Sequence, residues 1–359
     1  METATLIDQT LKRIIVEPTN HCNLDCSMCI RHTWNSPGGQ MSSPNFAALL
    51  EDLRSLSPTP EIFFGGYGEP LSHPKIIQMI REVKATGARA ELVSNGTLLT
   101  PQMAKDLISS GLDKIWISLD TSHQDSIQEG QGAQTKPTAI QKMEELIGLK
   151  KMLEAGPELG LVIVLSRGGL DQTLKHIQQG IQVGLRSFFF THLEAYSEDL
   201  AHQACYAPED LRRIASWQAR QAELVRELEG MAEGITIEGV LGNTNAHCPF
   251  AEKGEIVLRW DGEICPCLPL LYDHASFVGS WEHKIASHSQ GHIQRSSIRQ
   301  AWSDAENMLL RERLLGKEFS PCLSCRDCWL SDDNQLDCMG YEHPTCGGCL
   351  WAEGFIACP

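Results

Sequence analysis

Short apolar segments recur six times between residues 13 and 193, and each is followed by an amphipathic stretch. This alternation predicts strand–helix units around a parallel sheet, because such a sheet buries both faces of its strands. Six units are too few to close an eight-stranded barrel, which leaves an open partial barrel or a doubly wound sheet. The predicted strands are 13–17, 61–64, 90–93, 114–119, 161–165 and 187–191. In either fold, ligands bind at the carboxyl ends of the strands.

Composition and pattern divide the chain into three parts. The strand–helix units occupy residues 1–205, with their longest helix starting near Pro137, and residues 206–245 form a connecting segment with a helix at 208–229. Residues 246–359 form a second domain, which opens with a hairpin around Asp261-Gly262 and continues with a helix at 297–315. At 359 residues and 42% hydrophobic content, the chain can fill a large core and a smaller one.

Fourteen cysteines are spread unevenly along the chain, and ten of them follow residue 247. We find no apolar leader and no run long enough to span a membrane, so we expect a cytoplasmic protein whose thiols stay reduced. Its cysteines are then expected to bind metal rather than to form disulfides. The formal charge of −16 argues against nucleic acid or a membrane surface as a partner.

The first cysteine constellation follows the first predicted strand. Cys22, Cys26 and Cys29 lie within eight residues, and three thiolates on one loop can hold three irons of a [4Fe–4S] cluster. The fourth iron is then open, which is typical of substrate or cofactor chemistry. The same spacing also suits a structural zinc knuckle completed by His21, His32 or a remote residue.

The sequence resembles the radical S-adenosylmethionine (SAM) enzymes. The cysteine triplet after the first strand carries the resemblance, together with motifs that follow later strands in the same order as in the family. These motifs are Gly65-Gly-Tyr-Gly-Glu-Pro70, Ser94-Asn-Gly96, Ser118-Leu-Asp120 and Ser166-Arg167. The family implies an α/β fold, a (βα)6 partial barrel, here followed by a cysteine-rich iron–sulfur C-terminal domain.

The resemblance also implies roles for these residues. Cys22, Cys26 and Cys29 would hold a [4Fe–4S] cluster whose open iron binds the amino and carboxylate groups of SAM, and Met28 would help to enclose the adenine. Other expected SAM-binding residues are Gly66, Gly68, Glu69, Ser94, Asn95, Ser118, Asp120, Ser166 and Arg167. A reducing protein such as ferredoxin or flavodoxin would supply an electron, and SAM would yield a 5′-deoxyadenosyl radical that abstracts hydrogen from the substrate.

The cysteine-rich tail resembles the SPASM extension of many radical SAM enzymes. Cys248, Gly262 and Cys267 fit the opening of that extension and imply one or two auxiliary [4Fe–4S] clusters. The next family cysteine would fall at Ser331, where this chain has Cys328 and Cys338 on either side. The expected tail ligands are Cys248, Cys267, Cys322, Cys325, Cys328, Cys338, Cys346, Cys349 and Cys358. Spacing alone does not distinguish iron–sulfur clusters from zinc.

A narrower resemblance rests on the segment 337–359 and on the Gly-Tyr-Gly-Glu-Pro-Leu-Ser-His-Pro variant upstream. Both are similar to the radical SAM maturases associated with tungsten-containing aldehyde oxidoreductases. The implied substrate is the tungstopterin cofactor or the oxidoreductase carrying it. Two alternatives stay open: a peptide- or protein-modifying SPASM maturase, either sulfatase-maturase-like or peptide-crosslinking, and a non-catalytic iron–sulfur or zinc-binding protein.

Two further groups of polar residues invite an interpretation. His192, Glu194 and Tyr196 follow the sixth strand, where they either touch the substrate or form a rim that is satisfied within the protein. The tail histidines lie in a polar stretch without ligand spacing, and we expect them at the surface. They are His274, His283, His288 and His292.

Overall fold

The computed structural model describes most of the chain, and the fold below refers to that part. The described residues are 10–34, 36–120, 155–167, 170–206, 233–240, 248–325 and 327–359, with isolated positions between 144 and 148 and between 223 and 230. The helices predicted near Pro137 and at 208–229 fall largely outside the described residues.

A ten-stranded, mostly parallel sheet forms the centre of the molecule. The strands are β1 (Arg13–Val16), β2 (Glu61–Phe64), β3 (Ala90–Ser94), β4 (Lys114–Asp120), β5 (Glu158–Leu165), β6 (Ser187–His192), β7 (Thr236–Gly239), β8 (Glu255–Leu258), β9 (Glu263–Cys265), β10 (His274–Val278), β11 (Trp281–Ile285) and β12 (Gly291–His292). Their order in the sheet is β12-β9-β8-β1-β2-β3-β4-β5-β6-β7, and β10 and β11 form a separate hairpin. The six predicted strands are all present.

Eight helices are described, and one of them has clear local signals at both of its ends. They are α1 (Ser43–Ser55), α2 (Ile76–Ala85), α3 (Pro101–Ser110), α4 (Leu170–Val183), α5 (Glu198–Ala201), α6 (Pro249–Lys253), α7 (Ile298–Trp302) and α8 (Ala305–Leu315). The Thr100 side chain caps α3 by accepting from the Met103 amide, and Gly111 ends it with φ of 81°. Beyond α8, the helical structure of the described residues is limited to short 3₁₀ turns at Cys322–Ser324 and Trp329–Ser331.

The two faces of the sheet bury different partners. Ile14 and Val16 of β1 pack with the helices in one core, whereas Ile15 between them belongs to a second core. This second core contains inward-facing residues of the other strands, such as Phe63, and residues of the tail, such as Trp351. Because side chains alternate along a strand, one short sheet supports both the helix layer and the tail.

Charged groups close the end of the sheet where the strands begin. Arg13 lies 2.7 Å from Glu61 and 3.3 Å from Glu255, and it donates a 2.6 Å hydrogen bond to the carbonyl of Pro359. The C-terminus is therefore anchored at this end, and the carboxyl ends of the strands are the end left for ligands.

The tail shares the barrel's sheet, because β8 pairs in parallel with β1 and then turns back into β9. At the other edge, β7 lies in the predicted connecting segment and pairs with β6. The predicted domain limits of 1–205, 206–245 and 246–359 stay a prediction. No helix in the described part of the chain is long and apolar enough to cross a membrane.

Two local expectations in the tail are wrong. The helix expected at 297–315 is two helices, because Asp304 caps the second one by accepting from the Glu306 amide. His274 and His283 are buried rather than exposed: they lie on the inner face of the β10–β11 hairpin, and each uses Nδ1 to bond a backbone carbonyl. Those backbone bonds let two imidazoles sit in the interior.

Candidate functional site

The three cysteines of the first constellation lie on the loop that leaves β1. Tight local bonds shape this loop: the Cys29 amide donates to the Cys26 carbonyl at 3.0 Å, and the His32 amide donates to the Cys29 carbonyl at 3.1 Å. All three thiols are partly accessible, in contrast to the fully buried Ile15 on the preceding strand. The loop therefore presents its thiols at the carboxyl end of the sheet.

Nitrogen donors surround two of these thiols. The Leu24 amide lies 3.4 Å and the Asn95 side-chain amide 3.6 Å from Cys22 Sγ, and the Arg31 guanidinium lies 3.2 Å from Cys29 Sγ. Burial raises the pKa of the Cys22 thiol, and the Arg31 charge acts in the opposite direction. Three thiols on one loop with N–H donors directed at sulfur are a donor set that fits an iron–sulfur cluster with one open iron.

The glycine-rich segment after β2 packs directly on the cysteine loop. A Cβ at Gly68 would lie 2.0 Å from the Thr19 carbonyl oxygen and 2.7 Å from that of His21, so only glycine allows this approach. The next residue, Glu69, donates its amide to the His21 carbonyl at 2.8 Å. Gly66 has φ of 107°, and its Cα faces the Glu17 side chain. Gly66 and Gly68 therefore bring two loops together.

Glu69 joins the ends of β2 and β3. Its buried carboxylate accepts from the Ser94 hydroxyl at 2.9 Å, from the Asn95 amide at 2.8 Å and from the Leu71 amide at 2.9 Å. Burial raises its pKa, and these three bonds oppose that shift. Because Asn95 also reaches Cys22, three residues predicted to bind SAM form one hydrogen-bonded group beside the cysteine loop.

The remaining predicted SAM residues lie along the same end of the sheet. Met28 is half-buried against the second core, Ser118 is half-buried on β4, and Ser166 is buried just after β5. Asp120 ends β4, but its side chain is outside the description. The Arg167 guanidinium donates to the Ala204 carbonyl at 2.5 Å, so the structure uses it to hold the chain after α5.

A buried carboxyl that is not among the predicted site residues, that of Glu17, lies between the cysteine loop and the tail. Tyr272 of the tail donates its hydroxyl to Glu17 Oε2 at 2.5 Å, and the Tyr67 amide donates to Oε1 at 3.1 Å. Burial outweighs these bonds and raises the pKa of Glu17 to about 7. Its place just after an apolar strand, in phase with inward-facing Ile15, was the available sequence signal.

Three aromatic rings cover this carboxyl. Trp34, which follows the cysteine loop, lies 3.9 Å from Tyr272 and 5.5 Å from Tyr67 between ring centroids. The three rings come from three separate segments of the chain. They form a wall, called here the aromatic wall, that joins the cysteine loop, the glycine-rich segment and the tail.

Four tail cysteines come together in the interior. Cys248, Cys267, Cys346 and Cys349, called here the inner thiol group, line one small cavity. Burial raises the pKa of Cys267 well above its usual range, and the charges of the other three thiols raise it further. Four thiols that resist ionisation in this way fit a metal cluster, whose positive charge favours their thiolate forms.

A second set of four lies nearer the surface. We call Cys322, Cys325, Cys328 and Cys338 the outer thiol group. Successive turns link the first three, because the Cys325 amide bonds the Cys322 carbonyl and the Cys328 amide bonds the Cys325 carbonyl. Cys338 Sγ lies 3.3 Å from the Ser320 hydroxyl. Burial raises the pKa of Cys322 to about 11, and the charges of Cys338, Asp337, Cys325 and Cys328 act in the same direction. Cys328 and Cys338, which break the family spacing, thus belong to one set.

Cys358 has a different environment from these groups. The charges of Glu255, Lys253 and Arg13 act on it, and Lys253 bonds its carbonyl at 3.0 Å. All fourteen cysteines are free thiols. No three His, Cys, Asp or Glu side chains in the described part of the chain are spaced to hold a single metal ion.

Comparison with known families gives two matches. Residues 16–179 match the Radical SAM superfamily, and residues 248–329 match SPASM, an iron–sulfur cluster-binding domain. The first match begins in β1 and contains the cysteine loop and all the predicted SAM motifs. The second begins at Cys248 and ends beyond Cys328.

One relative matches over nearly the whole chain. The tungsten-containing aldehyde ferredoxin oxidoreductase cofactor-modifying protein of Pyrococcus furiosus is 27% identical over 361 residues, which cover 97% of each chain. An AdoMet-dependent heme synthase of Methanosarcina barkeri is 25% identical and covers 56% of each chain.

Solved structures support the same fold. The structure of anSMEcpe with bound AdoMet superposes with a TM-score of 0.61 at 16% identity, over 96% of this chain and 92% of that one. Streptococcus suis SuiB bound to S-adenosylmethionine gives a TM-score of 0.57 at 15% identity, over 87% of this chain and 70% of that one. The two family matches therefore place an α/β radical SAM domain at residues 16–179 of this chain and a C-terminal SPASM domain at residues 248–329.

Proposed function

We propose that this protein modifies the cofactor of a tungsten-containing aldehyde oxidoreductase. The observation that carries the proposal is the match to the Pyrococcus furiosus cofactor-modifying protein across 97% of both chains, which includes barrel and tail alike. The radical SAM domain binds SAM and a [4Fe–4S] cluster, and the SPASM domain binds auxiliary iron–sulfur clusters. When bound, SAM and its cluster supply one-electron chemistry that abstracts hydrogen from a substrate.

The chain's own residues provide the setting for that chemistry. We assign Cys22, Cys26 and Cys29 to the SAM-binding cluster, and the bonded group of Glu69, Ser94 and Asn95 to the positioning of SAM. The aromatic wall and the tail close over the carboxyl end of the sheet and limit the access of water. We assign the inner and outer thiol groups to two auxiliary clusters.

Two features of the cellular setting belong to the same proposal. A reducing protein such as ferredoxin or flavodoxin supplies the electron. The location is cytoplasmic, because so many metal-binding thiols stay reduced there.

SAM cleavage tests the site assignment. Full-length protein, reconstituted anaerobically with iron and sulfide and then reduced, should convert SAM to 5′-deoxyadenosine. A variant with Cys22→Ala, Cys26→Ala and Cys29→Ala should lose this conversion while keeping the iron of the tail. Cleavage that survives in the variant would contradict the assignment of the loop.

The oxidoreductase itself tests the substrate. Cells that lack this protein should yield a tungsten-containing aldehyde oxidoreductase with low activity and a cofactor of altered mass. Wild-type protein should restore both properties, and the Cys26→Ala variant should not. If the enzyme from deficient cells has normal activity and an unchanged cofactor, the proposal is wrong.

A further inference from the structure

Helix α8 buries two polar side chains and exposes two apolar ones. Asn307 and Arg311, which share one face of the helix, are 1% and 5% exposed, whereas Met308 and Leu309 are 37% and 53% exposed. An amphipathic helix usually does the reverse, and burying a guanidinium costs more free energy than burying an apolar side chain. The inverted pattern indicates that the buried face of α8 meets something besides an apolar core.

Helix α7 accounts for part of these contacts. The Arg311 guanidinium donates to the Trp302 carbonyl at 2.9 Å and lies 3.6 Å from the centroid of the Trp302 ring. The Asn307 side-chain amide donates to the Ala301 carbonyl at 3.0 Å. Both side chains thus hold the carboxyl end of α7. This structural role does not need a positive charge, because Asn307 performs it without one.

Arg311 also borders the inner thiol group. Arg311 and Asn307 line the same small cavity as those four thiols. Among the described residues around this cavity, Arg311 is the one with a positive charge and Glu255 the one with a carboxyl. The Glu255 carboxyl lies 3.3 Å from the Arg13 guanidinium, which provides its counter-charge. The charge of Arg311 therefore shares one buried space with four thiols.

A positive charge in that space would act on a cluster held by the four thiols. An iron–sulfur cluster with four thiolates carries a net negative charge, and its reduction adds another electron. A nearby guanidinium stabilises the reduced form more than the oxidised form, because charges interact strongly where water is excluded. Net charge around a cluster is one of the factors that set its reduction potential.

We propose that Arg311 sets the reduction potential of the auxiliary cluster held by the inner thiol group, by placing its guanidinium beside the four thiolates. Arg311 makes this cluster easier to reduce. The inference rests on the proposed function, which assigns the inner thiol group to an auxiliary cluster, and adds a residue that controls that cluster.

A redox titration of the reconstituted full chain tests the inference. Cys22→Ala, Cys26→Ala and Cys29→Ala together remove the SAM-binding cluster, so that the tail clusters alone give electron paramagnetic resonance signals. The signal that Cys346→Ala abolishes belongs to the inner thiol group. Adding Arg311→Gln should shift the reduction equilibrium of that signal about tenfold, which lowers its midpoint potential by about 59 mV. The other signal should keep its potential.

Three variants separate the charge of Arg311 from its structural contacts. Arg311→Lys keeps a positive charge and should keep the wild-type potential. Asn307→Ala removes the corresponding bond to α7 without changing the charge, so it should lower Tm and leave the potential unchanged. Arg299→Gln removes an exposed positive charge from α7 and should also leave the potential unchanged.

Several results would overturn the inference. An unchanged potential in Arg311→Gln would do so, as would equal shifts in Arg311→Gln and Arg311→Lys, because the charge would then not matter. If Arg311→Gln does not fold, Arg311→Lys decides: wild-type iron content and potential support the inference, and loss of the tail iron refutes it. If Cys346→Ala abolishes no signal, the inner cluster and the inference fail together.

The titration is independent of the oxidoreductase. A normal oxidoreductase from cells that lack this protein would refute the proposed substrate and leave the role of Arg311 intact. A defective oxidoreductase together with an unchanged potential in Arg311→Gln would leave the proposed function intact and refute only this inference.

Discussion

Glu17 shows how one residue can couple the cysteine loop to the tail. Its carboxyl is fully buried, and it is bonded by Tyr272 of the tail and by the Tyr67 amide. The charge of Arg259 lowers its pKa, but burial is the larger effect and raises it from 4.5 to about 7. The fold therefore favours the neutral carboxyl.

This preference makes stability depend on pH. A carboxyl with a raised pKa binds its proton more tightly in the folded chain, so its contribution is fully present below about pH 4.5 and is lost as pH rises through 7. The side chain of Glu17→Gln cannot ionise. Between pH 6 and pH 8 the free energy of unfolding of the wild type should therefore fall by about 1 kcal/mol relative to that of the variant. Anaerobic urea unfolding at the two pH values measures the difference.

The control for this measurement is an exposed carboxyl. Glu51→Gln changes a carboxyl on the exposed face of α1, and its difference from wild type should be the same at both pH values. If the free energies of unfolding of wild type and Glu17→Gln differ by the same amount at both pH values, Glu17 has the same pKa in the folded and the unfolded chain, and the prediction is wrong.

Single residues were predictable to different degrees. The cysteine loop could be read directly, because three thiols within eight residues have few other uses. Glu17 could not be recognised, because a glutamate after a strand is usually solvated, and only the tail that folds over it makes it buried. The sequence allows Glu194 either to contact the substrate or to form a satisfied rim, and its bond to Trp351 joins residues 157 positions apart.

At the scale of elements, the site depends on how closely two loops approach. The glycine-rich segment reaches the cysteine loop through Gly68, whose Cα leaves no space for a methyl group beside the Thr19 and His21 carbonyl oxygens. Backbone atoms cannot swing aside as side-chain ends can, so a larger residue must push the loops apart. The alignment of thiols with Glu69 and Asn95 would then be lost.

Gly68→Ala should therefore impair both folding and SAM binding. Overpacking against backbone should lower the free energy of unfolding by about 3 kcal/mol and displace the cysteine loop. Anaerobic thermal unfolding and the yield of 5′-deoxyadenosine measure the two effects. Iron in the tail groups should stay, because they lie on other segments.

Gly148→Ala is the control for this substitution. Gly148 is helical and has no atom within 4 Å of the position of an added Cβ, so alanine should leave SAM cleavage intact and slightly stabilise the helix. Wild-type cleavage by Gly68→Ala would mean that the two loops can separate without effect on the site.

The elements of the barrel were predictable because local signals agree with the tertiary structure. Short apolar strands end at polar motifs, proline marks the start of α1 and of α3, and glycine marks the end of α3. In the tail the signals compete. The break between α7 and α8 depends on the Asp304 cap, which a continuous apolar pattern concealed. His274 and His283 alternate with exposed residues, so their burial follows from strand pairing that composition does not reveal.

At the scale of the whole molecule, barrel and tail form one structure. Strand β8 of the tail lies beside β1, the strand that leads to the cysteine loop. Tyr272 reaches Glu17, and the C-terminal carbonyl reaches Arg13. Movement of the tail would therefore disturb the SAM site directly.

The grouping of the tail thiols was the least predictable feature. The inner thiol group combines Cys248 and Cys267 with Cys346 and Cys349, about 80 residues later or more, and nothing in their spacing indicates that grouping. The outer thiol group is local, yet its spacing differs from the family pattern at Cys328 and Cys338. Cys358 also lies in the cysteine-rich tail, but the charges that act on it are those of Glu255, Lys253 and Arg13.

Iron analysis distinguishes these roles. With one cluster in the cysteine loop and one in each tail group, anaerobically purified protein should contain about twelve irons and as many sulfides per chain. Cys346→Ala and Cys325→Ala should each lose about four irons, since each removes one of four thiolates from a cluster. Cys358→Ala is the matched control and should keep them all, because its neighbours are charged side chains that anchor the C-terminus. Loss of a cluster from Cys358→Ala would mean that this thiol joins a ligand set and that one of the two groups is assigned incorrectly.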